Sequence, residues 1–364
     1  MKITALRTRH LTHTLRESLK FSMFSFARRS IVIIEIETDT GIVGLGDVDS
    51  FPTGYRMVQT LIEEIYRPIL IGADPLMTEQ LLANLFRSSA VMGRNGLEIY
   101  AISGIDMALL DIKARAAGQP LYRLLGGSKR EIRAYASLSY FDPDTLEVPL
   151  RRLVEQGFTA FKLRIGVEPH KDEKIVKNSR RVLGEGAQIM VDVNSGWTRV
   201  ESLRRARRLE PYGLTWIEEP LIPRDLEGSR ALAAELDTPI ALGEHHFLRY
   251  EFRRILEMGA ADIIQPDLRA GGVSEVKKIA DLASSWEVPI VPHVFGSGIR
   301  LAATLQVLCA CSNTLYLEYD ISENPLRTDI LKEPIKPIQG LITVPDAPGL
   351  GVELDEEIVR RLED

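Results

Sequence analysis

Eight short apolar segments recur along the chain at nearly constant pitch, at 132–138, 160–166, 188–194, 214–220, 239–245, 261–267, 289–295 and 314–320. Their first residues are separated by 28, 28, 26, 25, 22, 28 and 25 positions. That spacing is the length of a strand, a crossover helix and its turns. Each segment is only about seven residues long and several are rich in Ile and Val, so strands fit better than helices. Eight parallel strands at this pitch close into a barrel, and the chain is expected to be α/β.

The residues before the barrel read differently. Stretches 1–14 and 30–47 alternate apolar and polar residues like half-buried strands, joined in part by an Asp39-Thr40-Gly41 turn. Helical patterns follow at 57–71, 76–86 and 97–117, the last stopped by Gly118-Gln119-Pro120. Residues 1–128 are therefore expected to be an α+β domain, 129–320 the barrel, and 321–364 a tail. The tail contains a short strand, 340–344, and no obvious eighth barrel helix, so it is expected to return to the N-terminal unit.

A charged fraction of 26% with a net charge of -6 leaves no clustered basic surface for nucleic acid. The longest nearly apolar run, 301–311, is far short of the roughly 20 residues that span a bilayer. Cys309 and Cys311 stand two apart in an apolar helix-like stretch and are expected to be unbridged core residues. Without a signal-like start, a cytoplasmic protein is the expectation, a homo-oligomer with no polymer partner.

Sites of parallel barrels are built where strands end. Here the strand ends carry Lys162 and Arg164, Asp192 and Asn194, Glu218 and Glu219, Glu244, Gln265 and Asp267, His293, and Glu318. Asp192, Glu218 and Glu244 are 26 residues apart in both steps, on three consecutive strands. Three carboxylates converging without a cation would repel one another, and an all-oxygen set selects Mg2+ or Mn2+. His293 beside Asp267 has the form of a base with its orienting carboxylate. Lys162 and Arg164 point to one face of their strand, which is costly unless an anion lies there. His245 and His246 follow Glu244 directly, so one of them could line the pocket, but a structural reading stands first for both, and His10, His13 and His170 read as surface residues. Gly296-Ser297-Gly298 reads as a tight turn.

This constellation resembles the enolase superfamily, and within it the mandelate racemase subgroup. The likeness rests on the segment 101–113, AISGIDMALLDIK, on Glu218-Glu219-Pro220, on Gln265-Pro266-Asp267 with Gly271-Gly272, and on Pro292-His293. It implies a modified (β/α)7β TIM barrel under an N-terminal α+β capping domain completed by the C-terminal tail. It also implies Asp192, Glu218 and Glu244 as metal ligands and Asp267–His293 as the catalytic dyad. Glu318 would bond a substrate carboxylate oxygen, Lys162 and Asn194 would contact the substrate, and cap segments 21–26 and 47–53 would close over it. Such enzymes remove the α-proton of a carboxylate to give an enediolate. Where the subgroup commonly has a second Lys, this chain has Arg164, a poor proton carrier. Arg164 is then expected to bind substrate or assist a leaving hydroxyl, and Lys162 is the alternative base. Dehydration of an aldonic or aldaric acid is the expected reaction. Cycloisomerisation of a sugar-acid lactone is the alternative, followed by racemisation or epimerisation, or a metal-binding relative without turnover.

Overall fold

The structure, a computed structural model, describes residues 1–49 and 51–364, and the side chains of all of these except Phe51 and Pro52. Strands β1 (Ile3–Lys20), β2 (Ser25–Thr38) and β3 (Val43–Asp49) form an antiparallel sheet in that order. The β2–β3 turn passes through Gly41 at φ +79, which the Asp39-Thr40-Gly41 signal anticipated. β1 runs further than its clean alternation, because a register shift after Thr14 lets Leu19 pair with Phe26. Helices lie on one face of this sheet. The most central, Leu97–Ala116, is buried almost all round, as a helix wedged between two layers must be. Gly44 and Gly46 allow its close approach: a Cβ on Gly46 would lie 2.0 Å from Gly104 O.

The barrel staves are β4 (Glu131–Ser137), β5 (Ala160–Arg164), β6 (Gln188–Asp192), β7 (Trp216–Glu218), β8 (Ile240–Leu242), β9 (Ile263–Ile264) and β10 (Leu317–Asp320), with β10 paired in parallel to β4. The seventh segment, 289–295, joins the ring only through Ile290, bridged to Ile264 on one side and Thr314 on the other. Pro289 and Pro292 flank that bridge, and neither has an N–H to donate. Staves β5 to β10 are also shorter than their apolar segments, whereas β4 keeps seven residues. Asn194 and Glu219 sit just past β6 and β7 at φ 43 and φ 41, in the left-handed region. Among the described residues no helix is long and apolar enough to cross a membrane. Cys309 and Cys311 are buried and free.

The tail touches both units. β11 (Leu341–Thr343) pairs antiparallel with β4, while Gly349 bridges Pro120 and Glu363 bridges Leu11. His10 is a correction to the surface reading. It is buried on β1, with Nε2 2.8 Å from Ser30 Oγ and its ring stacked 3.6 Å from Tyr55, because the helix Phe51–Thr60 covers that face.

Two buried acids on Leu97–Ala116 fasten the cap. Asp111 accepts from Leu45 N at 3.0 Å and Leu350 N at 2.7 Å, tying β3 and the tail to the helix. Asp106 accepts from Ser274 N at 2.9 Å and Ser274 Oγ at 2.5 Å, at the start of the barrel helix Gly272–Ser284. Burial pushes the Asp106 carboxyl up to about 6. Between its ordinary value and about 6 the native state then binds more protons than the unfolded chain, so this group stabilises most at low pH and loses that effect as pH rises through about 6. The change amounts to about 3 kcal/mol. Denaturant unfolding at pH 4 and pH 7 should show this slope flattened in Asp106→Asn, and an identical slope in both proteins would refute it.

Candidate active site at the barrel mouth

A two-residue periodicity builds the site. The inward faces of the staves carry a floor of Tyr135, Ala160, Met190, Trp216, Ala241, Ile263, Val291 and Tyr316, packed as one cluster. Two residues along, on the same faces, stand Lys162, Asp192, Glu218, Gln265, His293 and Glu318, all buried. Arg164, Asn194 and Asp267 come two residues further again. Glu244 leaves this parity because Gly243 turns the chain at φ +154, where a Cβ would lie 2.7 Å from the Gln265 backbone.

Lys162 Nζ lies 2.6 Å from Glu218 Oε1, 2.8 Å from Glu318 Oε1 and 3.4 Å from Asp192 Oδ2. Although burial opposes its charge, these carboxylates hold the ammonium well above the ordinary lysine range. Arg164 Nη1 bonds Asp192 and Asn194. The anion expected beside this pair of cations is thus supplied by the chain itself. Glu218 Oε2 accepts from Gln265 Nε2 at 2.7 Å and Trp216 Nε1 at 3.2 Å. Even so, burial, with Asp192, Glu318 and Glu244 nearby, pushes its carboxyl up to about 8.

His293 bridges two acids. Nδ1 is 2.7 Å from Asp267 Oδ2 and Nε2 is 2.7 Å from Glu244 Oε2. Burial works against the imidazolium, but Glu244, Glu318 and Asp267 hold it charged well above the usual histidine range. Asp267 stays ionised despite burial, through Arg269, His293 and Arg300. Asn194 Nδ2 reaches Glu244 Oε1 at 3.2 Å.

All of the anticipated residues therefore stand at one mouth, but the oxygens of Asp192, Glu218 and Glu244 are not drawn to a single point. Asp192 and Glu218 face Lys162 and Arg164, since ion pairing is what neutralises them here. Among the described residues the tightest set of ligand atoms is Glu219, Glu244 and His245, all within 4.8 Å of one another. His245 corrects its structural reading: it lines the cavity, with Nδ1 2.8 Å from Glu219 Oε2 and 3.4 Å from Glu244 Oε1. His246 is structural, its Nε2 3.1 Å from Pro223 O. Glu219 and Gln265 stood among the strand-end residues, and parity along the strand would have found Trp216; nothing in the sequence pattern pointed to Arg269 or Arg300. The residues fit a hard divalent cation. The donors are carboxylate oxygens from three strand ends, the ligand chemistry a hard divalent cation takes.

The roof comes from the cap. Phe21, Phe24, Phe26 and Phe295 line the cavity together with Asp49 and Arg29. Phe21 lies 4.8 Å from Phe24, 5.5 Å from Phe26 and 5.8 Å from Phe295, centroid to centroid, and the Arg164 guanidinium lies 4.7 Å from the Phe21 centroid. Of the second expected cap segment, 47–53, Ser50 and the side chains of Phe51 and Pro52 lie outside the described residues. The β1–β2 loop is pinned by Ser22, whose Oγ is 2.8 Å from Val193 O and 2.5 Å from Asn194 O, directly beyond β6. Losing such a bond costs about 1 kcal/mol. Ser22→Ala should accordingly raise KM several-fold with kcat little changed, and steady-state kinetics showing an unaltered KM would count against the latch.

Comparison with known proteins followed from this geometry. The family profile described as "Mandelate racemase / muconate lactonizing enzyme, N-terminal domain" matches residues 3–126, and "Enolase C-terminal domain-like" matches residues 146–358. A D-galactarolactone cycloisomerase of Agrobacterium fabrum is 37% identical over 98% of this chain and 97% of its own. An arabinonate dehydratase of Saccharolobus solfataricus is 37% identical over 94% of this chain and 93% of its own. The crystal structure of a racemase from Streptomyces coelicolor A3(2) with bound magnesium superposes with a TM-score of 0.92 at 30% identity, covering 100% of both chains.

Proposed function

Since the chain belongs to the mandelate racemase and muconate lactonizing enzyme family of the enolase superfamily, we propose that it abstracts the α-proton of a sugar acid in a Mg2+-dependent reaction and dehydrates the resulting enediolate. The observation that carries this reading is His293, held at Nδ1 by Asp267, at a mouth where carboxylates from three consecutive strands gather. Asp192, Glu218 and Glu244 would hold the cation, with Mn2+ as a substitute. The metal supplies Lewis acidity toward the substrate carboxylate, lowering the barrier to loss of a proton that is otherwise far too weakly acidic.

The chain's own groups do the rest. Asp267 orients the ring through Nδ1, and Nε2 of His293, 2.7 Å from Glu244 Oε2 here, would take the substrate proton once Glu244 is turned to the cation. Lys162 keeps its proton because of the acids around it, and it stabilises negative charge developing on the carboxylate oxygens. Glu318, which accepts from Val294 N at 2.9 Å and pairs with Lys162, orients that end of the substrate. Asn194 and Arg164 address the hydroxyl-bearing carbons. In the second half of the reaction the α-carbon electron pair forms the C=C bond as the β C–O bond breaks. The departing hydroxide takes the proton from His293 and leaves as water.

The phenyl roof favours a second reading. Phe21, Phe24, Phe26 and Phe295 offer no hydrogen bonds to the distal hydroxyls of an extended polyol, but they present faces on which the C–H side of a lactone ring can stack. The same enediolate can expel or accept a ring oxygen, which is cycloisomerisation, the reaction named for the Agrobacterium relative. Assaying aldonic acids, aldaric acids and their lactones with Mg2+, and following 2-oxo acid formation and ring opening, separates the two. Turnover of mandelate-like acids with none on sugar acids would overturn both.

A further inference from the structure

The helix Gly298–Cys309 begins beneath the mouth, capped by Ser297, and carries Arg300 in its first turn. The Arg300 guanidinium is 1% exposed, yet its pairing is long and incomplete. Nε lies 3.4 Å from Asp47 Oδ1 and Nη1 lies 3.6 Å from Asp267 Oδ1; neither Nη1 nor Nη2 makes a hydrogen bond, and Asp47 Oδ2 has none either. A buried charge held this way opposes stability, and an apolar side chain of similar volume would avoid that cost. The arrangement is nonetheless fitted closely. A Cβ on Gly296 would come 3.0 Å from Arg300 Cδ and 3.1 Å from Nε, so the turn after His293 is shaped around this side chain.

The two acids belong to different units. Asp47 is on β3 of the cap, whereas Asp267 is the carboxylate that orients His293. Arg300 and the Arg269 backbone N–H, at 2.8 Å, draw on Oδ1 of Asp267, while Oδ2 bonds His293 with Arg269 Nε 3.4 Å away. We propose that Arg300 is a positioning residue for the reaction, its guanidinium tying the buried Asp47 of the cap to Oδ1 of Asp267 and so coupling the seating of the cap to the orientation of His293. Without it the Asp267 carboxylate keeps its contacts to Arg269 but loses its link to the cap, and the aim of the imidazole is less tightly fixed. Only the kinetic part of this inference rests on the proposed α-proton abstraction; the orientation of His293 does not.

The test uses the full chain as Arg300→Gln, Arg300→Lys and Asp47→Asn, with Lys332→Gln, an exposed position on the tail, as a control. The imidazole N–H resonance of His293, assigned in protein labelled with 15N-histidine by its loss in His293→Asn, should shift or broaden in Arg300→Gln and Asp47→Asn. It should recover in part in Arg300→Lys and stay in place in Lys332→Gln. On the best sugar-acid substrate kcat should fall about 10- to 100-fold with KM nearly unchanged, and the double variant should be no worse than the poorer single one. A folded Arg300→Gln protein with wild-type resonance and kcat, altered only in its melting temperature, would overturn the inference and leave the proposed function intact. A resonance that responds in a protein that turns over no sugar acid would support the coupling and overturn the function instead. If Arg300→Gln does not fold, Asp47→Asn decides by the same two readouts.

Discussion

Replacing His293 with Asn should lower turnover by roughly 100- to 10,000-fold and abolish exchange of the substrate α-proton with deuterated solvent. The expectation follows from the other candidates for the base. Arg164 is a guanidinium bonded to Asp192 and Asn194, and it does not release a proton near neutrality. Lys162 Nζ is engaged by three carboxylates, 2.6 Å from Glu218, 2.8 Å from Glu318 and 3.4 Å from Asp192, and none of them orients it as Asp267 orients an imidazole. His293 alone combines an orienting carboxylate with a ring nitrogen at the mouth. Arg164→Lys should therefore change rate or affinity and leave exchange intact, and only one configuration at the α-carbon should be processed. Deuterium incorporation followed by NMR decides the matter: exchange surviving in His293→Asn and vanishing in Lys162→Met would assign the base to the lysine.

The second large effect is expected from Glu218→Gln. This carboxylate is the hub of the cluster, joined to Lys162, Trp216 and Gln265, and it lies on the middle of the three strands whose acids would hold the cation. An amide keeps the size and most hydrogen bonds but removes a charged oxygen donor, so Mg2+ affinity should fall by about 100-fold or more and activity with it. Stability should respond differently. Burial already pushes the Glu218 carboxyl up to about 8, so the neutral amide in the metal-free protein should melt no lower than metal-free wild type. Wild type gains stability from bound cation in proportion to RT ln(1 + [L]/Kd), a gain the variant should lack. Calorimetric titration and melting curves with and without Mg2+ measure both effects. Undiminished metal affinity in Glu218→Gln would remove Glu218 from the ligand set.

Much of this was legible in the sequence because barrels obey two simple periods. The pitch of about 25 residues announced the staves, and the period of two along each stave placed a floor residue such as Trp216 two positions before a functional one such as Glu218. Read further, the same parity reaches Gln265, since Ile263, Gln265 and Asp267 share a face. The rest depended on features that no period encodes. The seventh stave lost its ladder to two prolines, though its apolar text looked like its neighbours'. Glu244 reaches the mouth through a turn that only Gly243 allows, and Arg300 reaches Asp267 from a helix 33 positions later in the chain (300 minus 267). His10 resembled a surface residue because the helix that covers it is remote from its own strand pattern. The pairing of Asp192 and Glu218 with Lys162 and Arg164 follows from side-chain electrostatics, which strand spacing does not record.

The fastening of the cap also sets a clock. Asp106 anchors the cap's central helix to the barrel helix Gly272–Ser284, and Asp111 binds the same helix to β3 and the tail. Because Asp106 ties that helix to the barrel and the tail pairs with both units, the cap is fastened to the barrel as a body. Entry to the site then falls to the few residues between β1 and β2, held over β6 by Ser22. Loop excursions of that size run on the nanosecond-to-microsecond scale, whereas domain closure takes microseconds to milliseconds. Gating is therefore fast compared with an ordinary turnover of roughly 10 per second. Solvent viscosity should leave kcat unaffected, and the rate should report bond-making at the mouth rather than the opening of its door.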